Sequence, residues 1–150
     1  MPWYAGLLAA IAALAVGFVI GEFWRRRNGR LRPAAPGPDD ASPPVDPGLL
    51  TSLGVRSGVP ATLLQFSSAF CAPCRATRRI CAEVVDLVEG VRHVEVDAEQ
   101  NLDAVRALGV LRTPTLFVID AEGRVVRRAS GQPTKAHLIA TIAPLVASSR

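Results

Sequence analysis

The sequence is poor in the residues that build metal modules and disulfide-rich miniproteins. Aromatic residues make up only 5% of its 150 residues, and it has three cysteines and two histidines. Such numbers are too small for several zinc modules or for a fold held mainly by disulfides. Charged residues are also scarce, at 20% against 49% hydrophobic, and this balance excludes wholesale disorder. Aliphatic side chains must therefore form any core.

The net charge of +4 is concentrated at one end of the chain. Residues 1–32 contain five arginines and only one acidic residue, Glu22, whereas the remaining 12 basic and 12 acidic residues cancel. Residues 33–150, the body of the chain, therefore have no excess positive charge for a nucleic-acid partner. A basic stretch that directly follows an apolar run is typical of a membrane surface.

Residues 1–24 are predicted to form a single transmembrane helix, with residues 5–24 in the membrane. No charged residue lies between Ala5 and Ile20, and about 20 apolar residues suffice to cross a bilayer. A cleaved signal peptide is the alternative, but it would need positive charge before the apolar run. Because the arginines follow the helix, we expect a single-pass protein of the cell membrane with a cytoplasmic body. An extracytoplasmic body is the alternative topology.

Residues 25–48 are predicted to be a basic and then proline-rich linker. Six prolines lie between Pro33 and Gly48, so no packed element is expected there. At about 3.1 Å per residue this stretch would be a semi-rigid spacer of up to about 50 Å.

Residues 49–150 are predicted to form one α/β domain with a central mixed sheet and flanking helices. Apolar runs predict strands, and apolar residues at helical spacing predict helices. The resulting order is β-α-β-α-β-β-α. The predicted strands are 62–66, 91–96, 115–119 and 124–129, and the predicted helices are 75–89, 101–108 and 134–146.

The chemistry-bearing motif is Cys71-Ala72-Pro73-Cys74, between the first strand and the first long helix of the body. A helix N-terminus stabilises a thiolate, and the spacing lets two sulfurs meet within one turn. Cys71 is predicted to attack a disulfide and Cys74 to resolve the mixed disulfide. Half of a zinc site is an alternative, with Cys81 and His93 as the only further ligands, and inert buried cysteines are another. No metal site is predicted.

The wider pattern resembles the thioredoxin family. The resemblance covers about residues 55–147, with Phe70 to Arg75 around the CxxC motif, then Val96-Asp97, Thr113-Pro114-Thr115 and Gly131. It implies a cis-proline at Pro114 and a substrate-docking groove to which Thr113, Pro114, Ala72 and Pro73 contribute. It also implies protein thiol or disulfide substrates, a thioredoxin-reductase-type electron donor, and no cofactor beyond the Cys71–Cys74 pair.

Three residues are predicted to tune the environment of the cysteines, namely Gln65, Arg75 and Phe70. The family usually has a buried Asp where this sequence has Gln65, and tryptophans are common where Ser67 and Phe70 stand. Gln cannot accept a proton from the resolving cysteine. We therefore hypothesise a more oxidising couple and slower resolution than in ordinary thioredoxins.

The function predicted from the sequence is membrane-tethered thiol–disulfide exchange on proteins. One alternative places the body outside the cytoplasm, for disulfide handling or cytochrome maturation. The other is a redox-inactive or metal-carrying binding module on the same scaffold. Cys81 is expected to be a small buried hydrophobic residue or a further redox thiol, and no role is predicted for His93 or His137, which are interpreted as surface or edge residues.

Overall fold

The structure, a computed structural model, describes residues 3–27, 29–33 and 45–149. Its helices and strands follow the predicted order within the body, and the chain adds two helices and a short strand before it. The elements are α1 (Trp3–Arg27), β1 (Arg32–Pro33), α2 (Pro47–Ser52), β2 (Ala61–Ser67), α3 (Ala72–Leu87), β3 (Val91–Asp97), α4 (Leu102–Ala107), β4 (Thr115–Asp120), β5 (Val125–Ser130) and α5 (Lys135–Ser148).

The strands form one mixed sheet in the order β1-β5-β4-β2-β3. β2 and β3 are parallel, because a helix crosses over between them, and the other neighbours are antiparallel. β2 and β4 are central and buried along their whole length. This explains why their sequences read as continuous apolar runs rather than as alternating ones.

The two faces of the sheet carry separate apolar clusters. Alternation along β2 sends Leu63 towards α3 and α5, and it sends Leu64 and Phe66 towards α2 and α4. Val84 of α3 and Ile142 of α5 are fully buried on the first face. Burying a side chain of this size contributes about 1.5–3 kcal/mol, so α3 and α5 stabilise the central strands from this face.

The N-terminal helix is present where the sequence predicts one, as α1. Large apolar side chains on it are exposed, among them Leu8, Leu14 and Phe18. Within the residues that the structure describes, no helix combines the length and apolar character needed to cross a bilayer. The helix is therefore confirmed, whereas the membrane assignment of residues 1–24 stays a prediction.

The structure differs from the prediction that no packed element lies between Pro33 and Gly48. β1 pairs with β5 at one end of that stretch, and α2 begins at Pro47, capped by Asp46, at the other. Residues 34–44 lie outside the described residues. The proline count was misleading because a proline fits at a sheet edge and in the first turn of a helix.

The segment before β1 is also attached to the domain. Leu31 is buried in the cluster beneath α3 and α5, and the amide of Gly29 donates to the carbonyl of Ser130 at 2.9 Å. Gly29 has a φ of +82°, and a Cβ there would lie 1.8 Å from the carbonyl oxygen of Gln132. Only glycine fits this approach, so Gly29 and Leu31 pack closely against the domain that is predicted to span residues 49–150.

Candidate active site

The two cysteines lie where β2 passes into α3, as predicted. The helix begins at Ala72 rather than at Arg75, and Cys71 is its N-cap residue. The Cys71 Sγ accepts a hydrogen bond from the amide of Cys74 at 3.1 Å. Pro73 occupies the first turn, where a missing amide hydrogen costs nothing. The helix thus aims an N–H group and the positive end of its dipole at the Cys71 sulfur.

Cys71 and Cys74 form a disulfide, with their Cα atoms 5.2 Å apart. Their exposure differs, because Cys71 is half-buried whereas Cys74 is only 1% exposed. A substrate sulfur can therefore approach Cys71 and not Cys74. This asymmetry is what the predicted roles of attacking and resolving cysteine require.

A second loop, at residues 111–114, lies beside the loop at residues 68–71 that leads into the two cysteines, which we call the cysteine loop. The Thr113–Pro114 peptide bond is cis, as the sequence predicts. The hydroxyls of Thr113 and Ser68 are 3.1 Å apart, so one hydrogen bond joins the two loops. Pro114 itself is buried, and its carbonyl accepts from the amide of Gly131 at 2.7 Å.

The remaining predicted site residues of the cysteine loop and the first turn of α3 face solvent. Phe70 is 98% exposed, and Ala72, Pro73 and Arg75 are exposed as well. Leu111, which the sequence analysis did not single out, is 93% exposed at the start of the proline loop. The half-buried Cys71 is thus flanked in sequence by side chains that another protein can contact.

Beneath the cysteines lies a polar network of five residues: Gln65, Ser67, Arg78, His93 and Glu95. Gln65 is fully buried, and its Nε2 donates to the carbonyl of Cys74 at 3.0 Å and to Ser67 Oγ at 2.8 Å. Its Oε1 lies 3.1 Å from His93 Nε2. Because Oε1 can only accept, the His93 Nε2 carries the hydrogen of this bond. Every polar atom of the buried amide thus has a partner.

The network continues to the surface through a carboxylate. Ser67 Oγ donates to Glu95 Oε1 at 2.7 Å, and Arg78 binds both carboxylate oxygens of Glu95, with one contact at 2.8 Å. Burial raises the pKa of Glu95, but the hydrogen bonds from Arg78 and Ser67 outweigh it and leave the pKa below its usual value. Burial lowers the pKa of His93, which keeps its imidazole neutral near pH 7.

The two cysteines share one cleft of about 340 Å³ with three residues of this network, namely Ser67, Arg78 and Glu95. The cleft is large enough for several water molecules, each of which takes about 30 Å³ in the liquid. Its lining contains three small side chains in succession, those of Ser67, Ser68 and Ala69. Its lining includes Cys71, Cys74, Ser67, Arg75, Arg78, Glu95 and Asp97.

Cys81, the third cysteine, is fully buried on α3. Burial raises its pKa to about 12, with a further contribution from the negative charge of Glu95. The thiol therefore stays protonated at neutral pH, which favours the interpretation as a small buried hydrophobic residue. In the described part of the chain, no group of three or more His, Cys, Asp or Glu side chains is placed to hold a metal ion.

A half-buried cysteine disulfide-bonded to a buried one, at a helix N-terminus beside a cis-proline loop, defines a thiol–disulfide exchange site. The thioredoxin family model matches residues 54–144, more than half of the chain. The chain therefore belongs to the thioredoxin family and is a thiol–disulfide oxidoreductase. It needs no cofactor, because the cysteine pair itself carries two electrons. The predicted thioredoxin-like α/β fold is confirmed.

Solved structures agree with this assignment. The Fasciola hepatica thioredoxin is 26% identical, with a TM-score of 0.52 over 65% of this chain and 88% of that one. A chloroplastic thioredoxin z has a TM-score of 0.56 at 21% identity over 68% and 90% of the two chains. The Trypanosoma brucei brucei thioredoxin also reaches 0.56, at 18% identity over 69% and 88%. The last two likenesses concern the fold alone. A comparison with curated proteins finds no match.

Sequence reasoning missed most of the polar network. His93 was given no role, yet it bonds to Gln65, and Glu95 and Arg78 were passed over. The signal was present in the strand pattern. Val94 and Val96 alternate with His93, Glu95 and Asp97, and parallel pairing places these polar residues opposite Leu63, Gln65 and Ser67.

Proposed function

We propose that this protein is a membrane-tethered oxidoreductase that reduces disulfides in other proteins, with Cys71 as nucleophile and Cys74 as resolving cysteine. The observation that carries the proposal is the difference in exposure between the two cysteines at the start of α3. The hydrogen bond from the Cys74 amide to the Cys71 Sγ favours a negative charge on the Cys71 sulfur.

The reaction proceeds in two exchanges. The Cys71 thiolate attacks one sulfur of a substrate disulfide, and the other substrate sulfur leaves as a thiolate. Cys74 then loses its proton and attacks the Cys71 sulfur, so that the Cys71–Cys74 bond forms and the second substrate thiolate leaves. The substrate gains two electrons and two protons in all, and the protein ends as the disulfide. A reductase-type partner returns the two electrons.

Substrate docking is assigned to the surface around Cys71. An extended substrate segment would pair with the backbone of Thr113, and Pro114, Ala72 and Pro73 would shape the groove beside it. The exposed side chains of Phe70 and Leu111 offer apolar contacts to a substrate there.

The tether is assigned to the N-terminal segment. Its support is the uncharged run from Ala5 to Ile20, followed by Arg25, Arg26 and Arg27. Arginines on this side of an apolar run favour a cytoplasmic body, in which a thioredoxin-reductase-type donor is available to a reductant.

The activity is tested by reduction of insulin disulfides with the full-length chain. Cys71→Ser should abolish turnover, whereas Cys81→Ser should retain it, because Cys81 is buried and protonated. The Cys81 variant is the matched control for loss of one thiol. Turnover that persists without Cys71 would contradict the proposal and favour a binding module.

The tether and its direction are tested in cells. A reporter that is active only in the cytoplasm, fused after residue 150, should be active and should sediment with membranes. Activity of a matching reporter that works only outside the cytoplasm would reverse the topology. Recovery of the full chain in the soluble fraction would reject the tether.

A further inference from the structure

The resolving step requires removal of a proton from a buried thiol. Cys74 is 1% exposed, and the residue beneath it, Gln65, binds its carbonyl but cannot accept a proton. A proton acceptor must therefore lie elsewhere in the cleft that Cys74 lines.

Two carboxylates line that cleft, Glu95 and Asp97. Asp97 is engaged outside it, since one oxygen accepts from the Glu99 amide at 2.8 Å and the other from the Gln100 side chain at 3.1 Å. Glu95 instead accepts from Ser67 Oγ, a buried hydroxyl that also lines the cleft. Of these two carboxylates, Glu95 is the one that the described hydrogen bonds connect to the residues beneath Cys74.

The bond directions in this connection suit proton transfer. Gln65 Nε2 donates to Ser67 Oγ, and Ser67 donates its own hydrogen to Glu95. Ser67 Oγ has two acceptor sites, so one remains for a proton that arrives from the cleft. The side chain of Glu95 is 24% exposed, which lets it release a proton to solvent afterwards.

We propose that Glu95 accepts the proton of Cys74 in the resolving step, through Ser67, and so takes the place that Gln65 leaves vacant. As the Cys74 proton passes by way of cleft water to Ser67 Oγ, the Ser67 hydrogen passes to Glu95. The Cys74 sulfur then attacks Cys71, the substrate leaves as a thiolate, and the protonated Glu95 returns its proton to solvent. The inference rests on the exchange activity described above.

The charges around Glu95 keep its carboxylate ionised, so that it can accept a proton. Arg78 binds it directly, and a neutral His93 and a protonated Cys81 add no charge nearby at pH 7. The net lowering of its pKa leaves Glu95 ionised across the neutral range. β2 contributes no titratable side chain. The titratable and charged groups on the elements around Glu95 are Cys74, Arg75, Arg78, Arg79, Cys81, Glu83 and Asp86 of α3, its N-cap residue Cys71, and Arg92, His93 and Asp97 of β3.

If Glu95 acted only through its charge, its removal would change the rate of resolution in the opposite direction. A nearby negative charge raises the pKa of a thiol and slows its conversion to thiolate. If Glu95 acted by charge alone, its neutralisation would speed resolution. If it accepts the proton, its neutralisation slows resolution. The direction of the change therefore separates the two roles.

The test follows both exchanges in one mixing experiment. The reduced full-length chain is mixed with a nitrobenzoate disulfide, which releases one coloured thiolate when Cys71 attacks and a second when Cys74 resolves. The second phase is identified by a rate that does not depend on reagent concentration. Absence of the first phase would indicate a failure of the exchange function itself, separately from any role of Glu95.

We expect Glu95→Gln to slow the second phase about tenfold or more at pH 7, while the first phase is retained. The rate should be nearly flat between about pH 6 and pH 8 in the wild type, and it should rise with pH in the variant, because hydroxide replaces the acceptor. Ser67→Ala should give the same loss, and the double variant should lose no more than either single one.

The control is Glu83→Gln, which removes a carboxylate from the surface ion pair with Lys135. It should leave both phases unchanged. Thermal unfolding of each variant checks that the fold is retained. A second phase that is unchanged or faster in Glu95→Gln, or a pH profile that keeps the wild-type slope, would overturn the proposal.

Discussion

Two helices on the same side of the sheet begin in nearly the same way. Cys71 caps α3 with its sulfur, which accepts from the amide of Cys74 at 3.1 Å, and Thr134 caps α5 with its hydroxyl, which accepts from the amide of His137 at 3.3 Å. Both caps are extended, with φ near −90°. The geometry that organises a helix start is therefore not what separates the reactive position from the inert one.

The difference lies in the capping atom and in what supports the first turn. α3 begins above the polar network, in which the buried amide of Gln65 binds the Cys74 carbonyl. α5 is held by apolar side chains, with Leu138 and Ile142 fully buried. A hydroxyl remains protonated at neutral pH, whereas a thiol at a helix N-terminus can ionise. The same type of helix cap is therefore a redox site at α3 because the capping atom is a sulfur that can ionise. A polar cleft also reaches Cys74, the second cysteine of the pair.

Among the changes that test this comparison, the largest effect is expected from Cys74→Ser, which keeps the α3 cap but removes the resolving sulfur. Turnover should fall by on the order of 10³-fold or more, because the mixed disulfide between Cys71 and the substrate can no longer be resolved. Non-reducing electrophoresis should show that covalent adduct accumulating with insulin. Cys71→Ser is the control and should give none, and equal adduct from both variants would reverse the assigned roles.

A smaller effect is expected when a charge is introduced at Gln65, the buried residue beneath the start of α3. Gln65→Asp buries a carboxylate near the cysteines, which disfavours the Cys71 thiolate and makes the couple more reducing. A tenfold change in the exchange equilibrium corresponds to about 30 mV. Redox titration against glutathione measures it, and Gln65→Asn is the control of equal size without charge. Equal potentials for the two variants would remove the hypothesis.

The cap of α5 should matter for stability alone. Thr134→Ala removes the side-chain acceptor of the His137 amide and should cost about 1 kcal/mol of unfolding free energy. Denaturant unfolding measures the loss, and Thr134→Ser should restore most of it. Insulin reduction should be unchanged, and a loss of turnover would mean that the two helix starts are coupled.

The smallest effect concerns His93, whose imidazole is half-buried and so stays partly hydrated. Burial lowers its pKa in the folded state, so the unfolded chain takes up a proton first as the pH falls. The stability that neutral His93 contributes is thus fully present above about pH 6.5, the pKa of an unperturbed histidine. It is lost as the pH falls towards the pKa of His93 in the folded state. Unfolding free energies measured between about pH 5 and pH 8 should decline less in His93→Gln than in the wild type.

The parts of the fold that the sequence predicts are those in which local pattern and burial agree. β2 and β4 are buried on both faces, so their apolar runs identify them, and the CxxC motif locates the start of α3. The pairing of β1 with β5 could not be predicted in this way, because two residues carry no periodicity.

In the site, too, the sequence predicts the residues that belong to local patterns. Cys71, Cys74 and Pro114 belong to short motifs with fixed spacing, and the disulfide and the cis bond are present. The Glu95–Ser67–Gln65 connection spans two strands that are 28 residues apart, and it depends on their parallel register. Such a contact between strands has no signature in either strand alone.

The docking of Gly29 and Leu31 onto the sheet shortens the reach of the whole domain. The stretch from Arg27 to Arg32 is the only chain between α1 and β1, and five residues span at most about 18 Å. The proline-rich segment that follows runs from β1 back to α2, so it adds nothing to that length. An anchor on α1, as proposed above, would therefore confine the Cys71 sulfur to a small volume. Partners near that anchor would meet the sulfur at high effective concentration, and distant partners would not meet it.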